Sequence, residues 1–258
     1  VGADNAVPGI QSLTFSASAR YDDYSDFGDT FNPKIGLTYQ PVDWITVRGN
    51  WGESFNAPSL ADTNAPDTRS FNLPAFVLAD PSVPIADFSQ QLVVLVGGNS
   101  GLGPQEAETW SIGADIEPPA IPGLTASVTY YNTALTNQIA IPPLSLQIYT
   151  PAYSEFATFS PTLQELQDAI GSIPYIGAPL PSLYTANFGV YSLLDFRRQN
   201  LGEVEQDGLD FNLNYVTDTS FGSVFGNLAG TYTFEKNVAA FSGGAFTIFS
   251  MKARMKVQ

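Results

Sequence analysis

The feature that most constrains the fold is an alternation of apolar and polar residues that recurs along the whole chain. In the first run, Leu13, Phe15 and Ala17 alternate with Thr14 and Ser16. Successive side chains of a β-strand point to opposite faces of the sheet, so a period of two predicts strands with one apolar and one polar face. Eight runs of this kind occupy residues 13–21, 34–39, 45–51, 109–116, 124–130, 209–215, 228–234 and 251–257.

The connections between these runs alternate in length. Short links fall at residues 1–10, 40–44, 117–123 and 216–223, and long links fall at residues 22–30, 56–105, 142–202 and 236–248. Short turns at one rim and long loops at the other are typical of bacterial outer-membrane β-barrels. The pattern therefore predicts an all-β fold: an antiparallel transmembrane barrel segment of about eight strands with long extracellular loops.

Composition excludes several functional classes. The 258 residues include 25 acidic and 10 basic residues, which gives a net charge of -15 and argues against nucleic acid as a partner. The chain has no Cys and no His, which removes disulfides, thiolate or imidazole metal sites, Cys nucleophiles and the Ser-His-Asp triad. An enzyme would have to use a carboxylate pair, as glycosidases do, and no spacing here specifies one. We therefore expect no enzyme activity, no metal site and no cofactor.

Six of the ten basic residues fall in the polar rows of the predicted strands, namely Arg20, Lys34, Arg48, Lys252, Arg254 and Lys256. A lipid-facing Arg or Lys at mid-bilayer costs about 2–4 kcal/mol, whereas a water-filled lumen imposes no such cost. We expect six polar or charged side chains to project inward, towards a ligand or towards whatever fills the barrel. These residues are Arg20, Lys34, Arg48, Glu53, Asn212 and Asn214.

Several motifs, in order along the chain, resemble the barrel of TonB-dependent receptors. They are Asn32-Pro33-Lys34-Ile35-Gly36-Leu37, Ser54-Phe55-Asn56-Ala57-Pro58-Ser59-Leu60, Gly103-Pro104-Gln105-Glu106-Ala107-Glu108 and Asn200-Leu201-Gly202-Glu203. The second motif departs from the family pattern at Asn56, where an Arg is usual.

The resemblance implies a partial barrel over residues 1–258, taken from a larger, 22-stranded barrel whose N-terminal plug domain is absent here. It implies location in the bacterial outer membrane, with lipid and lipopolysaccharide around the wall. The partners it implies are the protein's own plug and the inner-membrane TonB complex. The function it implies is active uptake of a scarce, large solute of the siderophore, cobalamin or carbohydrate class.

Two other architectures fit the alternation. A secreted, soluble, carbohydrate-binding β-sandwich also has alternating strands, although connections of about 50 residues are unusual in it. A complete eight-stranded outer-membrane barrel is the second alternative.

The two longest loops carry the aromatic side chains that suit a stacked ring or sugar ligand, and the same side chains suit a small loop core. The candidates for ligand contact are Phe71, Phe76, Tyr149, Tyr153, Tyr175 and Tyr184. Thr162 and Glu165 have the spacing of a capping box, which predicts a short helix in the second loop. The run 92–96 predicts a strand or a buried segment in the first loop.

Overall fold

A computed structural model describes residues 9–25, 28–86, 88–184, 189–239, 247–248 and 254–257. The strands within these ranges are β1 (Ser12–Tyr24), β2 (Gly28–Val42), β3 (Ile45–Asn56), β4 (Arg69–Pro74), β5 (Gln91–Gly97), β6 (Gln105–Ile116), β7 (Leu124–Ala140), β8 (Ala157–Phe159), β9 (Tyr175–Ile176), β10 (Val190–Arg197), β11 (Gln199–Thr219), β12 (Gly222–Ala239), β13 (Thr247–Ile248) and β14 (Arg254–Val257). The α-helices are α1 (Leu60–Thr63) and α2 (Leu163–Ile170), and 3-10 helices occupy Ala75–Val77, Leu146–Tyr149, Pro151–Phe156 and Leu180–Tyr184.

The larger sheet, called the wall below, runs in the order β1-β2-β3-β6-β7-β11-β12, and both β13 and β14 pair with β12. Every neighbouring pair in the wall is antiparallel. Each of the eight alternating runs lies in a wall strand, which confirms the predicted antiparallel β-architecture; residues 251–253 of the last run lie outside the described residues. Over the described residues the wall is open, since β1 pairs with β2 alone.

The register aligns the apolar rows of successive strands. Leu37 pairs with Phe15 on one side and with Gly49 on the other, and Gly49 pairs in turn with Ile112. The apolar rows therefore form one continuous face of the wall. This face is uncovered: Phe15 is 66% exposed and Ile112 is 54% exposed.

Short turns and long connections lie at opposite rims of the wall. The β2–β3, β6–β7 and β11–β12 turns are at one rim, and the connections 57–104 and 141–198 leave from the other. The first hairpin is tighter than the predicted 22–30 loop, because pairing continues through Asp22↔Thr30 and Asp23↔Asp29 to Tyr24 and Gly28. A backbone ladder needs no apolar side chains, so the strands continue beyond the point where the alternation of hydrophobicity stops.

The two long connections build a second sheet, called the cap below, in the order β8-β10-β5-β4-β9. The β4–β5 hairpin of the first loop lies between β10 and β9 of the second loop, and both contacts between the loops are parallel. Parallel pairing joins segments that are distant in sequence and leaves no hairpin signature, which is why the alternation pattern did not predict this sheet.

The hydrophobic core described by the structure is in the cap. One cluster lies on one side of β5 and β10 and includes Leu92, Val94, Ile148 and Leu194, and Leu201 of the wall joins it. The second cluster includes Val93, Leu95 and Val190 and is covered by Leu166 and Ile170 of α2. Because β5 is buried on both faces, its sequence is a continuous apolar run and not an alternating one.

Helix α2 confirms the predicted helix in the second loop. The Thr162 hydroxyl accepts a hydrogen bond from the Glu165 backbone N–H, and the Glu165 carboxylate accepts one from the Thr162 N–H at 2.7 Å. The hydrogen bond from the Thr162 backbone N–H, together with one that the Thr162 hydroxyl donates to the same carboxylate at 3.0 Å, lowers the pKa of Glu165 below its ordinary value. None of the described helices is both long enough and apolar enough to cross a bilayer.

Candidate functional site

A cavity of about 340 Å³ lies over the polar rows of β1, β2, β3 and β6. Residues of these rows that line it include Ser16, Ser18, Lys34, Asn50, Ser54 and Ser111. A second cavity, of about 260 Å³, adjoins it towards the long-loop rim and shares Ser18, Lys34, Glu53 and Ser54 with it. We refer to the two together as the wall groove.

Two glycines open the wall groove. A Cβ at Gly36 would stand 2.6 Å from the Ser16 hydroxyl oxygen, and a Cβ at Gly52 would stand 2.9 Å from Cγ of Lys34. Both distances are shorter than atomic contact permits. Gly52 therefore leaves the space through which the Lys34 side chain runs.

The two arginines of this polar face are neutralised within the wall. Arg20 binds Asp22, with Nε 2.7 Å from the nearer carboxylate oxygen. Arg48 lies 3.0 Å from Asp115 and also donates to the Thr129 hydroxyl at 3.1 Å, so it ties β3 to β6 and β7. Cross-strand contacts of this kind hold the polar face in register.

Asn212 and Asn214 of β11 both accept hydrogen bonds from the side-chain amide of a third residue, Asn227, which the sequence analysis did not predict. Asn227 of β12 donates to the side-chain oxygen of Asn212 at 2.7 Å and to that of Asn214 at 2.5 Å. Asn227 carries no distinguishing sequence signal, and only the β11–β12 register places it there.

Glu53 lines both cavities of the wall groove, although the register places it in the row of the apolar side chains. It pairs with Glu108, two residues beyond the Trp51–Trp110 pair, and so belongs to the same row as these apolar side chains. Glu53 also lines a cavity of about 560 Å³, together with Glu106. Among the residues that the structure describes, no group of three or more acidic side chains is placed to hold a metal ion.

Aromatic rings form a row on the apolar face, near the middle of the wall strands. Trp110 lies 5.3 Å from Tyr130, and Phe234 lies 6.1 Å from Tyr130 and 5.1 Å from Tyr232 between ring centroids. The Tyr130 hydroxyl donates to Asp207 at 2.8 Å. A ring row with one apolar and one polar edge suits a boundary between lipid and water.

Five of the six loop aromatics proposed as ligand contacts pack within the cap. Phe71 and Tyr149 pack against the first cluster, of which Tyr153 is a member, and Tyr175 and Tyr184 pack against the second cluster. Phe76 differs from these five in being 61% exposed.

The tyrosine hydroxyls of the cap are also engaged. Tyr149 donates to the Leu78 carbonyl at 2.7 Å and meets the buried Ser192 hydroxyl at 3.1 Å. Burial raises the pKa of Tyr149 to about 12. Tyr175 donates to the Asn72 side chain at 3.0 Å and Tyr184 donates to the Pro161 carbonyl at 2.6 Å.

The base of the cap is fixed by Asn200, at the start of β11. Its amide accepts from the Gly103 N–H at 2.8 Å and donates to the Gly103 carbonyl at 2.9 Å and the Asn137 carbonyl at 2.8 Å. One side chain of β11 thus joins the end of the first long loop to β7, where Asn137 has a positive φ of 56°. An Arg198–Asp62 ion pair of 3.2 Å links the two loops.

Comparison with known proteins gives a family match over nearly the whole chain. The sequence model described as "TonB dependent receptor-like, beta-barrel" matches residues 5–249. No match was found among curated protein sequences.

Two solved structures share the fold. The siderophore receptor PirA from Acinetobacter baumannii is 14% identical, with a TM-score of 0.54 over 95% of this chain and 36% of that protein. PirA from Pseudomonas aeruginosa is 18% identical, with a TM-score of 0.50 over 91% of this chain and 34% of that protein. The chain thus spans about a third of the length of these two receptors.

Proposed function

Since this chain belongs to the TonB-dependent receptor-like β-barrel family, we propose that it forms part of the wall and two extracellular loops of an outer-membrane receptor that takes up a large, scarce solute. One observation carries the proposal: a single antiparallel sheet has a continuous, exposed apolar face and a polar opposite face. Uncovered apolar rows are stable against acyl chains, and a polar face suits an aqueous lumen.

The exposed apolar face also favours this receptor over a soluble β-sandwich. A sandwich buries the apolar face of each sheet against the other sheet. Here the second sheet buries its own core, while Leu13, Phe15 and Leu37 of the wall stay exposed.

The rest of the transport apparatus is proposed from the family. Residues 1–258 supply a partial barrel, and a plug elsewhere in the full-length protein fills the lumen against the polar face. The inner-membrane TonB complex acts on that plug to energise uptake of a siderophore, cobalamin or carbohydrate, and lipid with lipopolysaccharide surrounds the apolar face. We propose a receptor and not an enzyme, as the family match indicates.

Spin labels in the full-length receptor test the assignment of the faces. Labels at Leu37, Val47, Ile112 and Phe211 should be accessible to oxygen dissolved in the bilayer, because these side chains lie in the apolar rows. The matched labels one residue away, at Thr38, Thr46, Ser111 and Asn212, should report water or packed protein. Equal accessibility of the two sets, or a receptor that does not fractionate with outer membranes, would contradict the proposal.

A further inference from the structure

The polar face of β1, β2, β3 and β6 carries one basic side chain, Lys34, that is not paired with an acidic residue of its own rows. The acidic residues in these polar rows are Asp22 and Asp115, and each is paired with an arginine. Glu53 also lines both cavities of the wall groove, but it belongs to the apolar row and forms no ion pair with Lys34. Lys34 lies on the same face, opposite Ser18 and Gly52, and forms no ion pair with any residue that the structure describes. The chain has a net charge of -15, so acidic residues are abundant, yet none of those that the structure describes forms an ion pair with Lys34.

Lys34 lies where a ligand in the wall groove could reach it, because it lines both cavities of the groove. The absence of a side chain at Gly52 lets its stem cross β3, because a Cβ there would meet Cγ of Lys34 at 2.9 Å. Ser18 and Ser54 line the same two cavities, and their hydroxyls can donate further hydrogen bonds. The Ser16 hydroxyl, which lines the larger cavity, donates to the Gly36 carbonyl at 3.4 Å. The combined groove is large enough for a carboxylate together with the group that bears it.

We propose that Lys34 and the surrounding serine hydroxyls form a carboxylate-binding site on the lumenal face of the wall. An ammonium group offers three donors and no acceptor, so its natural partner is an anion with several lone pairs. The carboxylate comes either from an acidic side chain of the segment that fills the lumen or from a solute in transit. The inference rests on the proposed function, because it requires this face to line a lumen.

Amine acetylation of the full-length receptor, purified from outer membranes, tests the site. A carboxylate from the protein itself should slow acetylation of Lys34 about tenfold relative to an unfolded peptide of the same sequence, because the amine must leave its hydrogen-bonded partner before it can react. Treatment with a carbodiimide should then join Nζ of Lys34 to that carboxyl as an amide, while the carbodiimide takes up the water as a urea. Mass spectrometry of the cross-linked peptide identifies the side chain.

Citrate distinguishes the second source. If the carboxylate belongs to a solute, no internal cross-link forms, and Lys34 becomes protected about tenfold only when citrate is added. Acetylation of Lys34 at the peptide rate with and without citrate, and no cross-link, would overturn the inference. A receptor that fractionates with outer membranes yet gives this result retains the proposed function and lacks only the site.

Two glycine variants separate a positioned site from a lysine that is merely shielded. Gly52→Ala should displace the Lys34 stem and restore acetylation to the peptide rate, because the new Cβ occupies its path. Gly49→Ala on the same strand is the control, since its nearest neighbour would be the Ser111 carbonyl at an ordinary 3.8 Å. Protection that survives in both variants would show that Lys34 is shielded without being bound.

Discussion

At the residue scale, the row that a side chain occupies decides which solvent it meets. Val47 lies in the apolar row, between Tyr39 and Ala114, whereas Thr46 pairs with Asp115 on the polar face. Val47→Arg should reduce the amount of folded receptor in the outer membrane, because a cation against acyl chains costs about 2–4 kcal/mol. Thr46→Arg is the control and should assemble nearly normally. Equal loss of the heat-modifiable form in both variants would contradict the face assignment.

A buried tyrosine makes the stability of the cap depend on pH. Burial raises the pKa of Tyr149 to about 12, so the folded cap favours the neutral phenol over the phenolate. Its stabilising contribution is therefore complete below pH 10 and is lost as the pH rises towards 12. Tyr149→Phe should destabilise the cap by about 1–3 kcal/mol at neutral pH, because the Leu78 carbonyl and the Ser192 hydroxyl lose a partner.

The measurement for Tyr149 is denaturant unfolding of the full-length receptor between pH 8 and pH 12. The difference in unfolding free energy between wild type and Tyr149→Phe should shrink across this range. A constant difference would show that the phenol does not titrate as its burial requires.

At the element scale, the two long loops are one folding unit. The β4–β5 hairpin is held between β10 and β9, so neither loop can complete a core alone. Leu194→Ala, in β10, should cost about 2–5 kcal/mol, because Leu194 is fully buried. The loss should speed amide hydrogen exchange in β4 and β5 of the other loop as much as in β10.

Leu60→Ala is the control for this coupling. Leu60 is 80% exposed in α1. Its truncation should therefore change the free energy of opening that amide exchange reports for the cap by less than about 0.5 kcal/mol. Faster exchange confined to residues 190–197 after Leu194→Ala would show that the loops are energetically independent.

At the scale of the whole molecule, the wall is an open sheet. Over the described residues, β1 has a partner on one side alone, so its outer backbone groups are unpaired. Unpaired backbone groups in lipid cost several kcal/mol each, and an eight-stranded lumen holds little more than side chains. The isolated 258-residue chain should therefore aggregate on refolding into detergent. A monodisperse, heat-modifiable and protease-resistant monomer would contradict this expectation and favour the complete eight-stranded barrel.

Much of the wall was predictable because apolar and polar residues alternate along its strands. A strand with one face in lipid and one in water must place apolar residues at every second position, so Leu13–Tyr21 and Trp110–Ile116 can be recognised without any knowledge of their neighbours. The family motifs and the Thr162–Glu165 capping box are equally local signals. The position of Arg20, Lys34 and Arg48 on the polar face follows from the same alternation.

The sequence by itself determined the strands, their faces and the rims of their connections, while the tertiary structure decided what the connections build. The sequence left the roles of Tyr149 and Tyr175 open between ligand contact and core, and their packing against residues far along the chain places them in the cap. The Asn227 amide contacts and the triple contact of Asn200 likewise depend on partners about 13 to 97 residues away. Local periodicity reports the solvent on each side of a strand, but it carries no information about which distant segment completes a buried sheet.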